Sequence, residues 1–139
     1  MAKPITFVLD AFAMLAYLQG ESNGLRVRGI FQSGSQNIYM SLINVGEVLY
    51  ITERKQGIRK AQEVLASIRQ LPIELLPVDE QTIFAAAHIK ANYTVSYADS
   101  FAIVAAQTVG GTLMTGDPEF GAVEELVNIE WLQKSEDKP

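Results

Sequence analysis

The sequence predicts an α/β fold built on a mainly parallel sheet of five short strands with helices on both faces, and three observations carry that expectation. Short β-rich apolar runs alternate with stretches of helical period along the chain. Successive runs are separated by too many residues for hairpins, so the connections cross over and leave neighbouring strands parallel. The chain has 139 residues, enough for one sizeable core and too few for two ordinary ones. A single domain is expected over residues 1–133, with Lys134 to Pro139 as a frayed tail.

Taken in order, Ile5 to Leu9 is an apolar run that stops at Asp10, as a buried central strand would. Ala11 to Leu18 reads as a short helix, Gly20 to Gly24 as a loop, and Leu25 to Gln32 as a helix closed by Ser33-Gly34-Ser35. Ile38 to Ser41 is the second strand. From Leu42 to Gln56, Leu42, Val45, Val48, Leu49 and Thr52 recur at helical spacing until Gly57. Ile58, Ala61, Val64, Leu65, Ile68 and Leu71 then share one face of a helix that ends before Pro72. Ile73 to Pro77 is the third strand. Asp79 to Ala91 and Tyr97 to Val109 are helical, the latter closed by Gly110-Gly111, and Thr112 to Thr115 is the fourth strand. After the turn at Gly116-Asp117-Pro118, a short helical stretch leads to Val127, Ile129 and Trp131, which alternate as in a fifth strand. The strand order is not readable at this level.

Composition narrows the chemistry. Cysteine is absent, which removes disulfides, thiolate metal sites and cysteine nucleophiles and suits a cytoplasmic location. No uncharged apolar run approaches the ~18 to 20 residues that span a bilayer, so no membrane association is expected. Lys+Arg number 11 against 16 Asp+Glu, a net charge of -5 that disfavours nucleic-acid binding by bulk charge. A polyanionic substrate would need a bound divalent cation or a local basic cluster.

In a parallel α/β sheet ligands bind beyond the carboxyl ends of the strands. Asp10 follows the first strand, Asp117 follows the fourth, Asp99 opens a helix, and Glu47 lies in the helix after the second strand. Each also has a structural reading. Asp10 and Asp117 are placed as helix caps, the latter followed by Pro118, and Asp99 stands three residues after Ser96 as in a capping box. Glu47 aligns with Ile43 and Ile51 beside an apolar stripe and needs a partner, yet no basic residue lies within a turn of it. Arg54, two turns away, is expected to point elsewhere. Carboxylates converging at one end of the sheet repel unless they hold a cation, and an oxygen-only ligand set selects a hard one such as Mg2+ or Mn2+. Such a centre suits phosphodiester hydrolysis.

The segments FVLDAFAMLAYL around Asp10, SLINVGEVLY around Glu47, VSYADSFAIVAA around Asp99 and LMTGDPEF around Asp117 resemble the four acidic motifs of PIN-domain proteins. The resemblance is to the small VapC-type toxins of prokaryotic toxin-antitoxin pairs and covers essentially the whole chain. It implies a three-layer α/β/α sandwich, Mg2+- or Mn2+-dependent endoribonuclease activity on RNA, homodimerisation and inhibition by a cognate antitoxin. On that basis Asp10, Glu47 and Asp99 match the core metal-binding and catalytic acids, Asp117 matches the more variable fourth, and Thr115 supplies a supporting hydroxyl. One position departs from the pattern. Many relatives carry a small hydroxyl residue two places after the first Asp, where this chain has Phe12.

Other features carry less. Arg54, Lys55, Arg59 and Lys60 cluster around Gly57, and Arg26 with Arg28 form a smaller group; both read either as solvated helix surface or as phosphate-positioning groups. Tyr39, Tyr50, Tyr93 and Tyr97 could pack or stack on unpaired bases. His88 is the only histidine, so zinc sites and Ser-His-Asp hydrolysis are disfavoured, and Asp117 stands where a phosphate loop needs its Lys. Against the nuclease stand a phosphoacceptor signalling domain, which would want a further acidic pair near the amino terminus and a late Lys, and a catalytically silent module that binds RNA or protein without cutting.

Overall fold

The structure, a computed structural model, describes residues 4–133; the expected tail at 134–139 lies outside them. Five strands, β1 (Thr6–Leu9), β2 (Asn37–Ser41), β3 (Glu74–Leu76), β4 (Thr112–Thr115) and β5 (Ile129–Trp131), form one sheet in the order β3-β2-β1-β4-β5. Every pairing is parallel. Six α-helices connect them: α1 (Ala11–Leu18), α2 (Leu25–Ser33), α3 (Leu42–Gln56), α4 (Ile58–Arg69), α5 (Glu80–Asn92) and α6 (Tyr97–Val109). Short 3-10 turns occupy Ser22–Gly24, inside the stretch expected to be a loop, and Pro118–Val123.

Alternation along the strands divides the core in two. Phe7 and Leu9 of β1, Ile38 and Met40 of β2 and Met114 of β4 face one side, where they pack with Met14, Val27, Ile30, Val45, Val48 and Ile68 from α1 to α4. Val8 and Leu113 face the other, against Ala86 and Ile89 of α5 and Phe101, Ala102 and Ile103 of α6. Both faces are therefore covered, as the sequence predicts. A fully buried side chain such as Phe7 or Ile103 contributes about 1.5–3 kcal/mol through removal from water.

The apolar stripes are shorter than the sequence suggests. Leu42 and Ile58, each the first residue of its helix, are 44% and 56% exposed, so neither joins the buried stripe. The fourth helix stops at Arg69, capped by Gln70, and Leu71 is only half-buried. Gly57 sits between α3 and α4 with φ +91°, a backbone angle that admits the change of direction there and disfavours side chains.

The sheet order places the site. β1 is flanked by β2 on one side and β4 on the other, so the chain changes direction across the sheet beside β1. Crevices at such reversals open at the carboxyl ends of the strands. Asp10 leaves β1 at this end, and Thr115 and Asp117 leave β4 next to it.

Candidate metal centre

Asp10 is buried and doubly held. Its Oδ1 accepts from the Ala13 amide at 2.8 Å, so it does cap α1, while its Oδ2 accepts from the Thr115 hydroxyl at 2.5 Å. Thr115 Oγ1 in turn accepts from the Asp117 amide at 3.0 Å, tying the ends of β1 and β4 into one relay. The supporting hydroxyl expected at Thr115 is thus in place. Both Asp10 oxygens have donors without any hydroxyl from position 12. Phe12 is instead half-buried, with its ring against Gly116: a Cβ added at Gly116 would lie 2.3 Å from the Phe12 ring.

Glu47 reaches the site from α3, and its partner is an amide. Asn44, fully buried one turn earlier, donates from Nδ2 to Glu47 Oε1 at 3.4 Å and to the Ala98 carbonyl at 3.1 Å. Because both partners are acceptors, the orientation of that amide is fixed, and Oδ1 is left buried without a donor among the described residues. Asn44 therefore ties the helix carrying Glu47 to the residue preceding Asp99. It stands three places before Glu47, within reach of helical spacing, but as a neutral amide it offers no counter-charge by which sequence alone would pair the two. Arg54 makes no ion pair with Glu47 among the described residues; its guanidinium points elsewhere, as expected, and rests over Tyr50, 5.1 Å from the ring centroid.

Asp99 enters from the first turn of α6, which Ser96 caps by accepting from the Asp99 amide at 3.0 Å. The reciprocal half of the expected capping box is made by another residue. The Ser96 amide donates to Glu119 Oε1 at 3.0 Å, so the Asp99 carboxyl is spared that duty. Glu119 also donates its own amide to Asp117 Oδ1 at 2.9 Å, the capping contact expected of Asp117. Sequence reasoning missed Glu119. Its only signal was its place two residues after Asp117, in the 3-10 turn that brings it back over the start of α6.

Among the described residues, Asp99, Asp117 and Glu119 each offer a carboxylate oxygen within 4.8 Å of the others. Asp10 and Glu47 stand outside that triad but close enough for charge to act between them. Burial is the main force raising Asp10 to a pKa of about 7; the Thr115 and Ala13 hydrogen bonds oppose it, and the charges of Asp117 and Glu47 add to it. Glu47 is raised by burial and by Asp117, against the Asn44 hydrogen bond. Asp99 is raised by burial and by a hydrogen bond with Glu119, with smaller effects from Asp117 and Glu47. Carboxylates held reluctant to ionise together are what a divalent cation would relieve. The donors are all oxygens, a set that fits Mg2+ or Mn2+ and not a soft metal.

Of the remaining features, Arg26 is committed to Glu130, 2.7 Å away, and His88 is exposed on α5. No helix among the described residues is long and apolar enough to cross a membrane.

Comparison with curated protein sequences finds no match. Similar solved structures include a chain of VapBC2 from Rickettsia felis bound to a promoter DNA fragment, with a TM-score of 0.73 and 13% identity over 93% of this chain and 100% of that one. A chain of DNA-bound VapBC from Salmonella typhimurium gives 0.73 and 19%, covering 93% and 99%. VapC20 of Mycobacterium tuberculosis, a toxin that cleaves the sarcin-ricin loop, gives 0.68 and 17%, covering 84% and 93%. At these identities the likeness is one of fold. The model of the PIN domain matches residues 7–126, taking in Asp10, Glu47, Asp99 and Asp117, and the chain belongs to the PIN-domain family.

Proposed function

We propose that this protein is a metal-dependent endoribonuclease, the toxin of a toxin-antitoxin pair, formed by one domain over residues 1–133. The observation that carries the reading is the cluster of Asp99, Asp117 and Glu119 beyond the carboxyl ends of β1 and β4, with Asp10 and Glu47 near enough for charge to act between the groups; burial and that charge support the reading by holding Asp10, Glu47 and Asp99 above their ordinary pKa. Asp10, Glu47, Asp99 and Asp117 would hold Mg2+ or Mn2+. A hard divalent cation supplies Lewis acidity toward a phosphoryl oxygen and activates water for attack.

The chain's own groups prepare that centre. Thr115 and the Ala13 amide fix both oxygens of Asp10, and Asn44 fixes one oxygen of Glu47, so little reorganisation is left for catalysis. One carboxylate of the group orients or deprotonates the attacking water. The VapBC neighbours support a small antitoxin protein as partner, and the reading extends to a cytoplasmic homodimer.

The test is cleavage of a mixed cellular RNA pool with Mg2+ or Mn2+, with chelator, and with Asp99→Asn in parallel. Discrete cuts that require both metal and Asp99 are expected. No cleavage with either metal, together with no detectable metal binding, would leave a silent binding module.

A further inference from the structure

The described acidic centre gives an RNA chain a place to be cut but no place to be held, and the net charge of -5 works against holding it. We propose that Tyr50 and Arg54 form a stacking platform for one unpaired nucleobase of the substrate and a contact for its phosphate, next to the scissile position; this rests on the nuclease reading above. Tyr50 is 51% exposed although α3 packs against α1, α4, α6 and β2. It lies three residues after Glu47 and Arg54 seven residues after, so at about 3.6 residues per turn all three fall within about 60° around the α3 axis. The helix rise sets Tyr50 about 4.5 Å and Arg54 about 10 Å along the axis from Glu47. One face of α3 therefore carries a site carboxylate, a half-exposed aromatic ring with the Arg54 guanidinium over one of its faces, and that cation in succession.

The guanidinium is free to do this work. It stacks on the Tyr50 ring at 5.1 Å, and among the described residues no carboxylate pairs with it. Lys60, by contrast, stands 4.0 Å from Glu63. A planar cation beside an exposed ring stiffens the ring and leaves its N–H groups for a phosphate oxygen. Stacking tolerates any base, because every base has a π-face, whereas an ionic contact to phosphate is salt-dependent. The exposed patch of α3 thus fits an unpaired strand in both its chemistries, with Lys55 and Arg59 extending the positive field past Gly57.

The test separates holding from cutting. In the Asp99→Asn protein, binding of a short single-stranded RNA oligonucleotide is measured by fluorescence anisotropy at several salt concentrations. Tyr50→Ala is expected to weaken binding about tenfold, Tyr50→Phe and Tyr50→Trp to keep it, and the new indole of Tyr50→Trp to be quenched by the oligonucleotide. Arg54→Ala is expected to lower the slope of log affinity against log salt by about one. With Asp99 intact, Tyr50→Ala should raise KM and leave kcat near the wild-type value. Unchanged affinity and salt slope in both alanine variants, with the fold intact by circular dichroism, would overturn the platform whether or not the wild type cuts RNA. Tyr50-dependent binding by a protein that never cuts would uphold the platform and refute the nuclease.

Discussion

Thr115 and Asp10, 105 positions apart in the chain, meet through a hydroxyl that donates to Asp10 Oδ2 at 2.5 Å while accepting from the Asp117 amide. The contact does two things: it lowers the cost of a charged Asp10 in a buried setting, and it fixes the carboxylate's direction. Thr115→Val keeps the shape and removes the hydroxyl. Metal affinity and cleavage should each fall about tenfold or more, and Thr115→Ser should restore most of both, measured by Mn2+ titration and by RNA cleavage.

Stability of the metal-free protein should decline as pH rises. Asp10 keeps its proton in the folded state up to a pKa of about 7 but loses it near 3.8 when unfolded, so between those values the folded state binds more protons. The raised Asp99 and Glu47 act in the same direction. With chelator, the melting temperature should therefore drop between pH 4 and pH 8, and the gain on adding Mg2+ should be larger at pH 8. A flat profile would show that these carboxyls ionise without cost.

Asn44 joins Glu47 on α3 to Ala98 at the entrance of α6. Asn44→Ala removes both hydrogen bonds and leaves the Ala98 carbonyl to find another donor, which should cost about 1–3 kcal/mol by urea unfolding. Asn44→Asp should cost more without metal, since it buries a further negative charge beside Glu47. Chemical denaturation of the two variants with and without Mg2+ checks both.

Gly116→Ala should destabilise by about 1–3 kcal/mol, because the new methyl would meet the Phe12 ring at 2.3 Å. Phe12→Ala should also destabilise, by leaving a gap. Combined, the two should cost clearly less than their sum, a coupling that a double-mutant cycle on unfolding free energy measures.

Local chemistry made most of the fold legible. Asp10 and Ser96 cap the helices that follow them as expected, and α1, α3 and α6 have the bounds read from the sequence, whereas Asp79, placed inside its helix by that reading, caps it instead. Leu42 and Ile58 were misleading because spacing gives a direction around a helix and not how far the neighbouring layer extends. Strand order stayed hidden since it is decided by packing between segments far apart in sequence. The same limit hid Glu119, whose contact with Ser96 spans 23 positions and depends on a 3-10 turn. Asn44 was within reach of helical spacing, but a neutral amide carries no charge to draw attention to it.

The parallel pairing of β1 with β4 has a consequence for synthesis. Asp10 stands 105 positions before Thr115 in the sequence, so a chain under synthesis makes the first carboxylate well before the groups that complete its surroundings. Until then the first carboxylate lacks both its hydroxyl donor and its acidic neighbours, and β1 has only β2 beside it. The acidic centre is therefore completed only when β4 pairs with β1.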